Sequence, residues 1–314
     1  MRKISNDLEP NKYLQPIQHR QWKIVGHLLE FNDSTSLEKR EKGYITFWKR
    51  FAKRTTAIVG LFILASIILS AIIIPFFSSD PRDTDVTRKY LAPGQNGYIF
   101  GTDQLGRDFW SYIWNGLRFS LSLGLFAASI DFIVGALFGL LMGHFKKFDL
   151  IMQYFIKVFI NIPAILILIL ATLVFKPTFW TIALGLTLTG WIGMSLNVRA
   201  QVLRTKNYQW VTASKFLGTP QWKIILNYLP VVLPLIITQI VLTVSGAILA
   251  ETSISFIGLG VPNQPSLGTA ITIGSKIILT YPRYTLIPSS VLIMLTLSMQ
   301  LISTEIERSL VRKR

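Results

Sequence analysis

From Ala57 to Phe77 the chain runs without a single charged residue, and that run matches the roughly 20 helical residues that cross the hydrocarbon core of a bilayer. Lipid offers no partner to a backbone N–H or C=O, so such a segment must satisfy its hydrogen bonds internally, as a helix does. Five further apolar blocks follow, at about 119–142, 151–175, 179–196, 229–256 and 284–303. Charged residues make up only 15% of the 314 residues, against about 25% in a soluble domain. The expected fold class is therefore all-α, a polytopic membrane protein with six transmembrane helices. Residues 1–54 read as a polar tail, with a short amphipathic stretch around Trp22 to Leu29, and residues 55–314 as the six-helix domain.

A net charge of +16 would suit nucleic acid were it spread over a soluble face. Here the basic residues gather at the ends of the apolar blocks, which is the mark of membrane topology. Of the 32 Lys and Arg, 23 fall on the segments that share a side with both termini and 8 on the opposite set, with Lys157 inside the third block. Both termini are thus expected in the cytoplasm, and no nucleic-acid partner is expected. The absence of cysteine removes disulfides, thiolate metal sites and cysteine nucleophiles. The three histidines, His19, His27 and His144, are too scattered for a metal site. The first block is too long for a signal-peptide core, so no cleavable leader is expected.

Two connections are too long to be plain linkers. The outer one, residues 78–118, holds five basic and five acidic residues, and the inner one, residues 199–227, holds five basic and none acidic. In the inner loop a helix over Tyr208–Leu217 can stop at Gly218, since glycine reaches the left-handed conformation that ends helices. A second helix can start with Thr219 as its cap and Pro220 at its first position. Ala213, Phe216 and Leu217 on the short helix suit docking into a partner's groove.

This spacing resembles the loop shared by membrane subunits of ATP-binding-cassette importers, whose pattern is Glu-Ala-Ala, three residues, Gly, nine residues, then Ile-x-Leu-Pro-like residues. Thr212, Ala213 and Ser214 hold the first three places, Gly218 falls in register, and Tyr228, Leu229 and Pro230 follow at the matching distance. Thr212 stands where the pattern has its acidic residue, and Ser214 where it has an alanine. Three further segments resemble the dipeptide and oligopeptide permease family: Phe100–Asp108 followed by Gly116–Ser120, the Asn161-Ile162-Pro163 interruption, and Gly246–Gly260 followed by Pro265–Gly268. Together they cover about residue 50 to the C-terminus, and their order resembles the C-type subunit of a Gram-positive oligopeptide permease.

The resemblance implies the type I importer (MetI-like) permease fold in the plasma membrane. It also implies a homologous second permease subunit, two cytoplasmic ATP-binding-cassette ATPase subunits and an extracytoplasmic peptide-binding lipoprotein. ATP and magnesium would be bound by the ATPase partners, because this chain has no Gly-rich phosphate loop. The segment Tyr208, Thr212, Ala213, Ser214, Phe216, Leu217, Gly218 and Pro230 would couple to the ATPase. Oligopeptides are the expected cargo, with dipeptides or nickel complexes as alternatives.

Intramembrane charges are costly and point to function. Asp131 either lines the path or pairs with Lys157 or a partner subunit, while Lys157 can also snorkel to the headgroups. Glu251, near the outer end of its block, either contacts path or partner or simply sits exposed at the interface. The Asn161–Pro163 break either lines a wet path or kinks the helix for packing. Gly101, Asp103, Gly106, Arg107 and Asp108 form an outer turn that contacts the binding protein or serves structure alone. No nucleophile or metal constellation accompanies Asp103 and Asp108, so an acid/base role is not expected. A secondary transporter would need paired broken helices in two related halves, and only one break is evident. A membrane-bound enzyme lacks a site.

Overall fold

A computed structural model describes residues 51–310; the amphipathic stretch at 22–29 and the last four residues lie outside the described residues. Among the described residues nine α-helices make up most of the backbone: α1 (Thr55–Phe77), α2 (Phe109–His144), α3 (Lys146–Ile160), α4 (Ala164–Phe175), α5 (Phe179–Thr205), α6 (Gln209–Phe216), α7 (Gln221–Phe256), α8 (Leu267–Ser275) and α9 (Arg283–Leu310), with two single 3-10 turns at Val86–Arg88 and Gln95–Gly97. Among the described residues the only β pairing outside helices is an isolated Thr102–Asp108 bridge. Five helices (α1, α2, α5, α7, α9) are each long and apolar enough to cross a bilayer. The α3–α4 pair, bent by 78° at its break, is long and apolar enough only when its two helices are taken together, and brings the count to six if the bent pair is one span. Asn161 ends α3, its side-chain amide donating to the Lys157 carbonyl at 2.6 Å, and Pro163, which has no N–H to continue the ladder, opens α4.

The helices outrun the apolar blocks. α2 starts at Phe109, because the Asp108 carboxylate caps the Trp110 amide at 3.1 Å, so the first long loop closes at 108. Likewise α5 continues to Thr205 and α7 begins at Gln221, which leaves 206–220 for the second. Hydropathy reports the length of chain that lipid touches, and a capped helix extends past it.

α2 and α7 form the middle of the bundle. α1, α8 and α9 pack on one flank around Phe109, Ile113, Leu117, Ile248, Tyr284 and Leu295. α5 packs on the other, with its Met194, Val198 and Val202 against α2 and α7. The α2–α5 contact is the most extensive in the structure, and its α2 side is Gly135, Gly139 and Gly143, one helical turn apart. A Cβ at Gly139 would stand 2.6 Å from both the Ser195 carbonyl oxygen and the Val198 Cβ, and one at Gly143 would stand 2.5 Å from the Val202 Cβ. In lipid, where apolar surfaces do not drive helices together as water does, such small-residue edges let backbones approach closely. At the far ends of α1 and α9, Glu305 accepts from Arg54 at 2.7 Å and Thr56 at 3.0 Å.

The 78–108 loop is folded onto the bundle. The Asp103 carboxylate, 1% exposed, accepts from the Leu105 amide (2.8 Å), the Arg107 amide (3.0 Å) and the Arg107 guanidinium (2.7 and 2.6 Å). Gly106 has φ +74°, and a Cβ there would collide with the Asp85 carbonyl at 1.8 Å. The Tyr284 hydroxyl donates to the Thr102 carbonyl, and Arg283 to the Leu91 carbonyl at 2.7 Å. Burial lifts the Asp108 carboxyl above its ordinary value, opposed by hydrogen bonds from Trp110, Ser111 and Ser79.

Gly139→Leu is expected to lower the thermal midpoint of the detergent-purified protein, since overpacking at a close contact costs about 1–3 kcal/mol. Gly193→Ala, with nothing within 4 Å of its Cβ, is expected to leave the midpoint unchanged. Asp103→Ala strips four hydrogen bonds from a buried site at a cost of about 3 kcal/mol, and is expected to open the 78–108 loop to trypsin while leaving α9 protected.

Candidate functional site

The 206–220 loop is built around α6. Tyr208 is its extended N-cap, Leu217 its C-cap, and Gly218 follows with φ +70°. The Gly218 amide donates to the Lys215 carbonyl and the Thr219 amide to the Ser214 carbonyl, both at 3.0 Å. This is the paired closure that a left-handed glycine permits at a helix end. The start of the next helix differs from the expectation by one residue. Pro220, with ψ 143°, is the cap and Gln221 the first helical residue, because an extended Pro220 turns the chain before the helix begins. Pro230 lies inside α7, not in the loop.

One side of α6 is anchored. Val211 is fully buried against α2, α5 and α7, and the Trp210 ring lies 6.0 Å from that of Tyr228. The Ser214 hydroxyl turns back to the Trp210 carbonyl at 2.8 Å. The other side is bare: Phe216 is 88% and Leu217 84% exposed, and Tyr208, Thr212 and Ala213 are exposed too.

Side chains far apart in sequence clamp the loop to the bundle. His144 Nε2 lies 2.6 Å from Gln221 Oε1 and Nδ1 3.3 Å from the Tyr228 hydroxyl. Lys206 donates to the His144 carbonyl at 2.8 Å. Arg199 grips Asp149 with two bonds of 2.5 and 2.7 Å, the fork-on-carboxylate geometry that fixes direction as well as distance. Sequence reading missed this clamp. Its one visible signal was the placement of His144, Asp149 and Arg199 at the ends of apolar blocks.

The mid-bundle residues separate into three fates. Asp131, 3% exposed, faces a cavity of about 480 Å³ between α2, α4, α5 and α7, and makes neither a hydrogen bond nor an ion pair among the described residues. Pairing with Lys157 is not found: that ammonium lies 5.6 Å from the Tyr154 ring. Glu251 is not exposed at the interface but fully buried, accepting from Ser120 at 2.6 Å and Ser255 at 2.7 Å, and so ties α7 to α2. Asn161 and Pro163 are exposed and outside the cavity wall, but the bend they make brings Ala164, Ile165 and Leu168 of α4 into it. Gly101, Asp103, Gly106, Arg107 and Asp108 stay together in the 78–108 turn, and none of them lines the cavity. Among the described residues no cluster of His, Asp or Glu could hold a metal.

Residues 132–312 match the family model of the binding-protein-dependent transport system inner membrane component, and residues 45–93 match the N-terminal TM domain of oligopeptide transport permease C. The dipeptide transport system permease protein of Bacillus subtilis is 39% identical over 255 residues, 79% of each chain. The oligopeptide transport system permease protein of the same organism is 35% identical, over 78% of this chain and 83% of that one. A third such permease, from Streptococcus pneumoniae, is 33% identical over 80% of this chain and 84% of its own. A bundle of five long apolar helices and one bent pair, with a glycine-ended helix at one end, together with these matches, identifies the chain as a member of the binding-protein-dependent transport system inner membrane component family.

Proposed function

We propose that the chain is a pore-forming subunit of an ATP-driven oligopeptide importer, coupled to its motor through α6. The names of its relatives, all permease proteins of peptide transport systems, support the cargo. The observation that carries the coupling is the pair Phe216 and Leu217, 88% and 84% exposed at the tip of a helix whose opposite side is locked into the bundle. Two bulky apolar side chains held in water on a rigid mount are a docking knob for a partner's groove.

In this reading a homologous second permease subunit completes the translocation path. Two ATP-binding-cassette subunits take α6 from each permease on the cytoplasmic side, and an extracytoplasmic peptide-binding lipoprotein delivers cargo to the opposite end. ATP binding closes the ATPase pair and pushes α6. The clamp of His144, Lys206, Gln221 and Tyr228 then passes the push into α2 and α7 instead of letting the loop flex. Both termini lie in the cytoplasm, as the distribution of Lys and Arg supports. The chain carries no catalysis of its own.

Replacing Phe216 and Leu217 together by Asp is expected to leave membrane insertion intact and to cut co-purification of the ATPase subunits, the loss of an apolar anchor being worth about 2 kcal/mol, or roughly thirtyfold in affinity. Gly218→Pro removes a donor and cannot adopt φ +70°, so peptide uptake should fall to background in cells that still hold the protein in the membrane. Normal uptake by that variant would sink the coupling role. The chain has no cysteine, so Gln95→Cys should react with a membrane-impermeant maleimide on intact cells, and Asn207→Cys only on inverted vesicles.

A further inference from the structure

The cavity around Asp131 holds a chemical imbalance. A carboxyl group 3% exposed sits in the middle of the span with its Oδ1 buried and without a partner. The cavity wall is otherwise mostly apolar, and two of its hydroxyls are already committed: Thr243 donates to the Gln239 carbonyl at 2.9 Å and Ser253 to the Leu249 carbonyl at 2.8 Å. Glu251, also buried, shows how the same bundle treats a structural carboxylate, with hydroxyl donors at 2.6 and 2.7 Å. Asp131 receives nothing comparable, and an acid left bare in a low-dielectric site is costly unless something arrives to satisfy it.

The position is also prepared for. A Cβ on Gly190 would stand 2.0 Å from Asp131 Oδ2, so α5 keeps a notch open where the carboxylate lies. At about 480 Å³ the space is of the size that takes a small ligand or one end of a larger one.

We propose that Asp131 is the counter-ion for a primary ammonium group of the transported substrate, received in this cavity during passage. A carboxylate among mostly apolar neighbours selects a compact cation that can donate several hydrogen bonds, and an ammonium does so. On a peptide that group is the α-amine or a lysine side chain. The inference rests on the importer reading above and adds to it a recognition element inside the membrane.

The test uses the whole importer, with partner permease, ATPase subunits and binding protein, in proteoliposomes. Uptake of Ala-Ala-Ala and Ala-Lys-Ala is compared for wild type, Asp131→Asn, Asp131→Glu and Gly190→Ala, with ATP hydrolysis stimulated by the binding protein measured alongside. Asp131→Asn should reduce uptake about tenfold or more, the scale of one charge-assisted hydrogen bond, with stimulated hydrolysis within about twofold of wild type. Asp131→Glu should retain most uptake, and Gly190→Ala should resemble Asp131→Asn. An equal loss for both peptides identifies the α-amine as the ligand, and a loss confined to Ala-Lys-Ala identifies the lysine side chain. Unchanged uptake of both by Asp131→Asn overturns the proposal. So does a parallel loss of uptake and hydrolysis, or of subunit assembly, since either makes Asp131 a structural partner of another chain. If wild-type vesicles take up neither peptide on ATP addition, the peptide reading itself fails and the inference falls with it.

Discussion

The approach of α2 to α5 along Gly135, Gly139 and Gly143 sets the position of nearly everything else in the bundle. Apolar side chains gain little from leaving lipid for one another, so helix association there depends on close van der Waals contact. Glycine supplies it by letting the Ser195 carbonyl and the side chains of Val198 and Val202 fill the space a Cβ would take. The same register brings Gly190 beside Asp131 and sets Val202 in the cluster that buries Val211 of α6. One glycine edge thus aligns both the cavity and the mount of the exposed helix.

Polar contacts then fix what packing alone would leave sliding. At the α6 end these are Asp149–Arg199 and the His144 clamp; at the opposite end, Asp103–Arg107 and the bonds from Arg283 and Tyr284 to the loop backbone. Most of these carboxylates have their oxygens met by donors, as buried charge requires if it is not to cost more than it returns. Asp131 alone of the buried acids described breaks the pattern, which is why it stands out as a place that something else completes.

Much of this was legible in the residues. Six apolar blocks became five long helices and one bent pair, and Asn161–Pro163 marked the bend because proline cannot continue a hydrogen-bonded ladder. Gly218 ended its helix as its backbone freedom foretells. What could be read locally and was not includes α8, whose Ser266 and Thr269 form a reciprocal cap, and the four-residue glycine spacing of α2. The burial of Glu251 could not be read at all. Its donor Ser120 lies 131 residues away, and proximity to the end of an apolar block says nothing about which way a side chain faces. The Asp131–Lys157 pairing failed for the same reason: sharing a membrane depth does not bring two side chains within reach.

α2 and α7 each contain 36 residues, which at 1.5 Å per residue gives a rod of about 54 Å, with Pro230 and Pro234 inside the second, well beyond the roughly 30 Å of hydrocarbon. Each rod therefore has a stub standing clear of the lipid. His144 at the end of one stub and Gln221 at the start of the other are joined by a hydrogen bond. Ser120 and Glu251 join the same two helices again near their other ends, so the pair is braced at both tips like the rails of a ladder, and a push on either stub is carried to the far side by both helices together.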